Sequence, residues 1–205
     1  LDNSGTAFEA ELEYADMDTI HGHILRSYPV ETEPACSLKL YLALTQREKF
    51  EWILQKCTEA GVSAIVPVYT ERSLVRRDKN SDAKLPRWGK ILQEAAEQSG
   101  RGIIPRLYPP QELAAAVRME IDTSCKLFFW EEERERTLRV MLEPVKAGVK
   151  KTALFIGPEG GFSAREAGLA ILHGWQPVTL GTRIYRMETA AIASIILTLY
   201  EIERD

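Results

Sequence analysis

The sequence predicts an α/β fold, a parallel sheet with helices on both faces, and three observations carry that prediction. From Cys36 onward, short apolar runs alternate with longer amphipathic ones, the pattern of strands joined by helical crossovers. Two glycine-bearing segments, Gly157-Pro158-Glu159-Gly160-Gly161 and Leu180-Gly181-Thr182-Arg183-Ile184-Tyr185-Arg186-Met187-Glu188-Thr189, each follow an apolar run and precede a helical one. The last helical run, residues 190–200, is apolar on nearly every side and needs cover on both flanks. The 205 residues, 45% apolar and 27% charged, suffice for one ordinary domain with a small appendage.

Residues 1–33 form that appendage. Phe8, Ala10, Leu12 and Tyr14 alternate with Glu9, Glu11 and Glu13, a period of two that predicts a strand. Asp16-Met17-Asp18 reads as a turn and residues 21–25 as a second strand. Two strands do not hold together alone, so the segment reads as part of a small β domain. Glu31-Thr32-Glu33-Pro34 links it to residues 34–205.

In the larger part, residues 37–44 read as a strand. Thr45-x-x-Glu48 has the form of a capping box, and Phe50, Ile53, Leu54 and Cys57 share one helical face. Gly61 suits a left-handed helix end. Residues 62–69 are the second strand, with Pro67 marking an edge or an irregularity. Trp88, Ile91, Leu92, Ala95, Ala96 and Ser99 define the next helix face. Residues 103–107 read as a third strand, and Pro110 opens a short helix. Residues 126–130 are a fourth strand, followed by a helix around residues 137–147 and a fifth strand at 152–156. Ser163-x-x-Glu166 is a second capping box, starting a helix that ends near Gly174. Residues 177–180 are the sixth strand, and the last helix runs from about Glu188 to Glu203. A second copy is the simplest way to cover that helix twice, so a homodimer is expected.

Composition narrows the class. No apolar run is long enough to span a bilayer. The opening Leu1-Asp2-Asn3-Ser4-Gly5 lacks the basic head and apolar middle of a signal peptide, and a first residue other than Met leaves room for a preceding segment. Cys36, Cys57 and Cys125 are far apart and sit within apolar patterns, as buried thiols of a cytoplasmic protein would. No ligand spacing predicts a metal site. The net charge of -4 means that a nucleic acid would have to be held by local basic patches.

The two glycine segments offer backbone amides at helix starts, which suits a flat polar ligand at one sheet edge. Glu159 at the centre of the first repels phosphate, and no Lys-Ser/Thr follows. A nucleotide-hydrolase loop is therefore disfavoured, and adenosine bearing a cationic centre fits better. The alternative for the first segment alone is a tight turn with Glu159 as a helix-start charge.

These two segments, with Gln55-Lys56-Cys57-Thr58-Glu59-Ala60-Gly61-Val62, Thr70-Glu71-Arg72-Ser73 and Glu97-Gln98-Ser99-Gly100-Arg101, resemble the RsmE family of ribosomal RNA small subunit methyltransferases. The resemblance runs from about Leu38 to Tyr200. It implies a SPOUT-type parallel sheet with a C-terminal trefoil knot, preceded by a PUA-like β-barrel of which residues 1–33 match only the second half. It further implies S-adenosylmethionine as cofactor, a homodimer, and methylation of uridine N3 in small-subunit ribosomal RNA. A SPOUT enzyme acting on transfer RNA, or a non-catalytic RNA-binding assembly factor, are the alternatives.

By the same resemblance, the cofactor set comprises Trp130, Ile156, Gly157, Pro158, Glu159, Gly160, Gly161, Leu180, Gly181, Ile184, Tyr185, Met187 and Thr189. Tyr185 and Met187 stand where the family usually has Leu and Thr, so side-chain contacts there are expected to differ. Arg186 is the candidate uracil-facing cation, with Arg101 and Arg183 behind it and Glu188 as a candidate base. For each arginine the alternative is an ion pair or carbonyl clamp, and for Glu188 a helix-start acid. Arg72, Arg76, Arg77 and Arg183 are candidate RNA contacts, or otherwise solvated charges.

Overall fold

A computed structural model describes residues 2–75, 81–120, 123, 125–145 and 150–203. Strands β1 (Thr6–Ala15) and β2 (Ile20–Pro29) pair antiparallel, with register shifts between Glu9 and Ala10 and between Leu12 and Tyr14. Tyr14 stacks on His21 at 4.3 Å. Leu12, Ile20 and Ile24 are exposed on this ribbon. Its base is nonetheless tied down: the Ile104 amide donates to Asn3 Oδ1 at 2.6 Å, and the Thr32 hydroxyl donates to the Gly100 carbonyl at 2.8 Å.

The remaining chain alternates strands and helices. In order come β3 (Ser37–Ala43), α1 (Arg47–Glu59), β4 (Ala64–Tyr69), α2 (Leu85–Gln98), β5 (Arg106–Leu107), β6 (Gln111–Glu112) and α3 (Leu113–Met119). Then follow β7 (Cys125–Phe129), α4 (Leu138–Leu142), β8 (Lys151–Ile156), α5 (Ala164–Leu172), β9 (Gln176–Val178) and α6 (Met187–Glu203). The sheet is parallel in the order β5-β4-β3-β8-β7-β9, with β6 also on β4.

Continuous apolar runs make this sheet because both its faces are buried. Leu40, Leu42, Leu127, Leu154 and Ile156 pack with α1, α2 and α6. Tyr41, Val66, Phe128, Ala153 and Phe155 pack with α3 and α5. On α6, Ala191, Ser194, Ile195 and Thr198 are buried, whereas Ile196, Leu197 and Tyr200 are exposed. Within one chain, therefore, this helix is covered on one flank only.

Four local expectations change. Thr45 does not cap α1: the N-cap is Gln46 with no side-chain bond, and the Thr45 hydroxyl is engaged elsewhere. The third strand shrinks to Arg106–Leu107, because Pro105 removes a donor and the Ile103 amide turns to Glu33 Oε1. Pro110 opens no helix; β6 intervenes, and α3 starts at Leu113. The helix after Thr137 stops at Leu142 and tightens into a turn at Glu143–Val145, where Pro144 cannot continue an α-helix; Ala147 lies outside the described residues. By contrast, Gly61 adopts φ +99, and the Ser163 capping box is complete, with the Glu166 amide donating to Ser163 Oγ at 3.2 Å and the Ser163 amide to Glu166 Oε2 at 2.9 Å. Pro67 sits where the outer neighbour of β4 breaks between β5 and β6.

At the sheet end remote from the glycine segments, Glu120 Oε2 accepts from Lys39 Nζ at 2.7 Å and from the Tyr41 hydroxyl at 2.6 Å. Burial alone would push this carboxyl up, but Lys39, Thr123 and Tyr41 outweigh it and hold it below the usual range. A depressed carboxyl contributes stability that is present above its unfolded value and lost as pH falls through its folded one. The Glu120 contribution should therefore be lost below about pH 4.5, the ordinary glutamate value. Glu120→Gln should flatten the acid limb of pH-dependent melting curves; an unchanged limb would remove Glu120 from the account.

Candidate active site

β8, β7 and β9 are neighbours running in the same direction. The segments leaving their carboxyl ends consequently open on one rim of the sheet, the usual ligand edge of open α/β folds. A cleft of about 440 Å³ lies there, within the range of small-molecule sites.

The first wall is the segment after β8. Gly157 packs so closely on the buried Phe162 ring that a Cβ would lie 2.7 Å from it. The Gly161 amide donates to the Pro158 carbonyl at 2.9 Å, closing the turn. Arg72 Nη1 holds the Gly160 carbonyl from outside at 2.9 Å. Glu159 points at the start of α1, where its Oε1 accepts from the Thr45 hydroxyl at 2.5 Å and from Lys49 Nζ at 2.9 Å. Burial would raise this carboxyl, but those two bonds prevail and keep it below the usual range; Glu159 in turn raises Lys49. The phosphate-repelling charge read from the sequence is thus largely compensated.

The second wall is residues 179–186. Gly181 takes φ +111, a conformation that side chains oppose. Its amide donates to Thr179 Oγ1 at 3.1 Å, and that hydroxyl donates back to the Gly181 carbonyl at 3.0 Å. Among the described residues, no other amide from Leu180 to Arg186 has a hydrogen-bond partner within the chain. Arg183 lies over the Tyr185 ring and donates to its hydroxyl at 3.1 Å. The third wall follows β7, where Trp130 Nε1 is buried without a partner and Glu133 Oε1 accepts the amides of Glu135 and Arg136.

A protein-family model described as an RNA methyltransferase domain matches residues 32–199. A ribosomal RNA small subunit methyltransferase E from Synechocystis sp. is 33% identical over 198 residues, covering 95% of this chain and 63% of the relative. The corresponding Mesomycoplasma hyopneumoniae enzyme is 32% identical, covering 82% of this chain and 72% of the relative. The Neisseria gonorrhoeae enzyme, whose crystal structure has S-adenosyl methionine bound, superposes with TM-score 0.85 at 30% identity, covering 96% of this chain and 79% of that one. The chain belongs to the ribosomal RNA small subunit methyltransferase E family. It spans less than two thirds of the Synechocystis relative's length.

In this family member, the cleft is lined by Trp130, Ile156, Gly157, Pro158, Glu159, Gly161, Leu180, Gly181, Ile184, Tyr185 and Met187, together with Arg183 and Arg186. Gly160 and Thr189 are not part of the lining. Glu188 stands just behind it in the first turn of α6, with Oε2 buried, lacking a hydrogen bond and 3.6 Å from Lys49 Nζ. Arg101 is a correction. Its guanidinium is buried and spent on the Thr58 and Val62 carbonyls at 2.9 and 2.7 Å and on Glu33 Oε2 at 2.7 Å. It fastens the end of α1 and the linker, and it does not reach the cleft. Arg72 is exposed but committed to the first glycine turn. Arg76 and Arg77 lie outside the described residues.

Lys49, Glu131, Arg134 and Thr179 also line the cleft, and the sequence does not single them out. Glu131 and Arg134 sit in an acid-rich run that reads as solvated surface, and nothing in it signals the cleft. Thr179 was visible as a strand end. Lys49 carried one signal: a cation in the first turn of a helix opposes the helix dipole.

Proposed function

We propose that this protein transfers a methyl group from S-adenosylmethionine to N3 of a uridine in small-subunit ribosomal RNA. The observation that carries the reading is the pairing of two glycine turns around a cleft whose lining, beyond the Lys49–Glu159 pair, holds Arg134, Arg183 and Arg186 against Glu131, on a chain of net charge -4. The donor set fits an adenosyl group: open amides between Leu180 and Arg186, an orphan Trp130 Nε1, and free space above Gly181. The Neisseria relative, solved with S-adenosyl methionine bound, supports the same cofactor.

When bound, that cofactor supplies an electrophilic methyl group. The chain's residues would do the rest. Backbone groups of Ile156, Gly157, Leu180, Gly181 and Ile184 hold the adenosine, fixing the donor in line with the attacking nitrogen. The uracil imide must lose its N3 proton as the new N–C bond forms and the methyl–sulfur bond of the sulfonium breaks, leaving the neutral thioether S-adenosylhomocysteine. Arg186, exposed at the rim with no ion pair among the described residues, faces the negative charge that then grows on the uracil oxygens. Glu188 is a candidate proton acceptor from behind the lining.

We further read the return from β9 at the sheet edge to α6, which packs against α1 and β8, as the threading of a trefoil knot. The β1–β2 ribbon is read as a piece of a PUA-like barrel. The exposed Ile196, Leu197 and Tyr200 of α6 support a homodimer, and three free cysteines support a cytoplasmic setting. Arg186→Ala should lower kcat on small-subunit RNA by about 100-fold, the order seen for removing one charge-stabilising donor, while cofactor affinity holds. The assay is labelled methyl transfer to unmodified small-subunit particles with mapping of the base. Normal turnover would end the Arg186 assignment, and label at another atom would end the uridine-N3 one.

A further inference from the structure

The start of α1 is built against its own interest. Thr45 stands where a hydroxyl could cap the helix, yet that hydroxyl goes to Glu159, 114 positions away. Lys49 occupies the first turn, where the helix dipole disfavours a cation. Its ammonium nevertheless lies 2.9 Å from Glu159 Oε1 and 3.6 Å from Glu188 Oε2. Glu159 belongs to the first glycine turn, and Glu188 follows directly on the second. No other cation among the described residues pairs with either carboxylate. One ammonium from a third element thus joins the first wall to the first turn of α6, which the second wall runs straight into, and all three side chains are at most 28% exposed.

We propose that Lys49 is a positioning residue that holds the two glycine turns at the separation the adenosyl cofactor requires. The inference rests on the methyltransferase reading above. Without the ammonium, two partly buried carboxylates that approach one point to within 3.6 Å lose their shared cation, Glu159 keeping only the Thr45 hydroxyl, and their repulsion drives the two segments apart. Lys49 then acts through wall spacing, so its loss should be felt in cofactor binding and leave RNA affinity alone.

The test is calorimetric titration of S-adenosylmethionine into wild type, K49M, K49R and K49M/E159Q, with RNA binding measured in parallel and melting curves for every variant. K49M should bind the cofactor about tenfold or more weakly, less than the full loss for one partner of a desolvated ion pair because these side chains keep up to 28% exposure. K49R should restore most of that loss, because it restores the charge. K49M/E159Q should recover part of it, because it removes the repulsion. RNA affinity should be the same in all four. Wild-type cofactor affinity in K49M would overturn the inference and leave the methyltransferase reading standing. Failure of both K49R and K49M/E159Q to recover would likewise overturn it, since charge would then not be the cause. A wild type that binds no S-adenosylmethionine would sink the methyltransferase reading itself, and this inference with it. Should K49M not fold, K49Q takes its place under the same criteria.

Discussion

Gly181→Val should yield a folded protein that no longer binds S-adenosylmethionine. At φ +111 only glycine is comfortable, and a β-branched side chain is the worst replacement. No atom lies within 4 Å of the added Cβ, so the damage is not a clash. The backbone must rotate to relieve strain of about 1–3 kcal/mol. That rotation breaks the two hydrogen bonds with the Thr179 hydroxyl and swings Leu180 and Ile184 out of register with the opposite wall. Residues 181–184 are exposed and contribute little to the core, so the melting temperature should fall by only a few degrees. Calorimetry should show at least an about 100-fold loss of affinity, the cost that small misplacements in preorganised sites reach. Unchanged affinity would show that the adenosine is held elsewhere.

Gly157→Ala should act the other way, on stability first. Here φ is ordinary and the obstacle is steric. The new methyl would sit 2.7 Å from Phe162 Cε2 and 3.0 Å from Cδ2. Phe162 cannot retreat, because it is fully buried with Phe128 at 4.2 Å and Phe155 at 5.2 Å between ring centres. Overpacking of this kind costs about 1–3 kcal/mol, or roughly 2–4 °C of melting temperature per kcal/mol in a domain of this size. Phe162→Ala would relieve the clash but leave a cavity costing about 3–5 kcal/mol, so the double variant should melt well above the sum of the two losses. Scanning calorimetry on the three variants decides it; an unshifted Gly157→Ala would mean that the turn gives way instead of the ring.

The sheet strands were legible because burial on both faces leaves unbroken apolar runs, as in residues 37–43 and 151–156. The Ser163 box was legible because both of its bonds span three residues. Contacts between remote positions were not. Nothing local tells Thr45 to serve Glu159 in place of its own helix, or Lys49 to bridge the first glycine turn and the start of α6, both more than 100 residues downstream. Arg101 shows the converse: the same motif and charge suit a catalytic cation or a buried clamp, and only the proximity of Thr58, Val62 and Glu33 chooses between them. Strand order is equally non-local, since β8 enters between β3 and β7 after both have formed in sequence.

Pro67 and the split neighbour of β4 have an effect on how copies of this molecule can meet. One margin of the large sheet is made of two-residue pieces, β5 and β6, and the other of the three-residue β9. Such stubs cannot template a foreign strand. Backbone-to-backbone joining, the route to fibrils and runaway polymers, therefore finds little foothold on the sheet that bears the cleft; among the described strands, the long free edges are those of the β1–β2 ribbon.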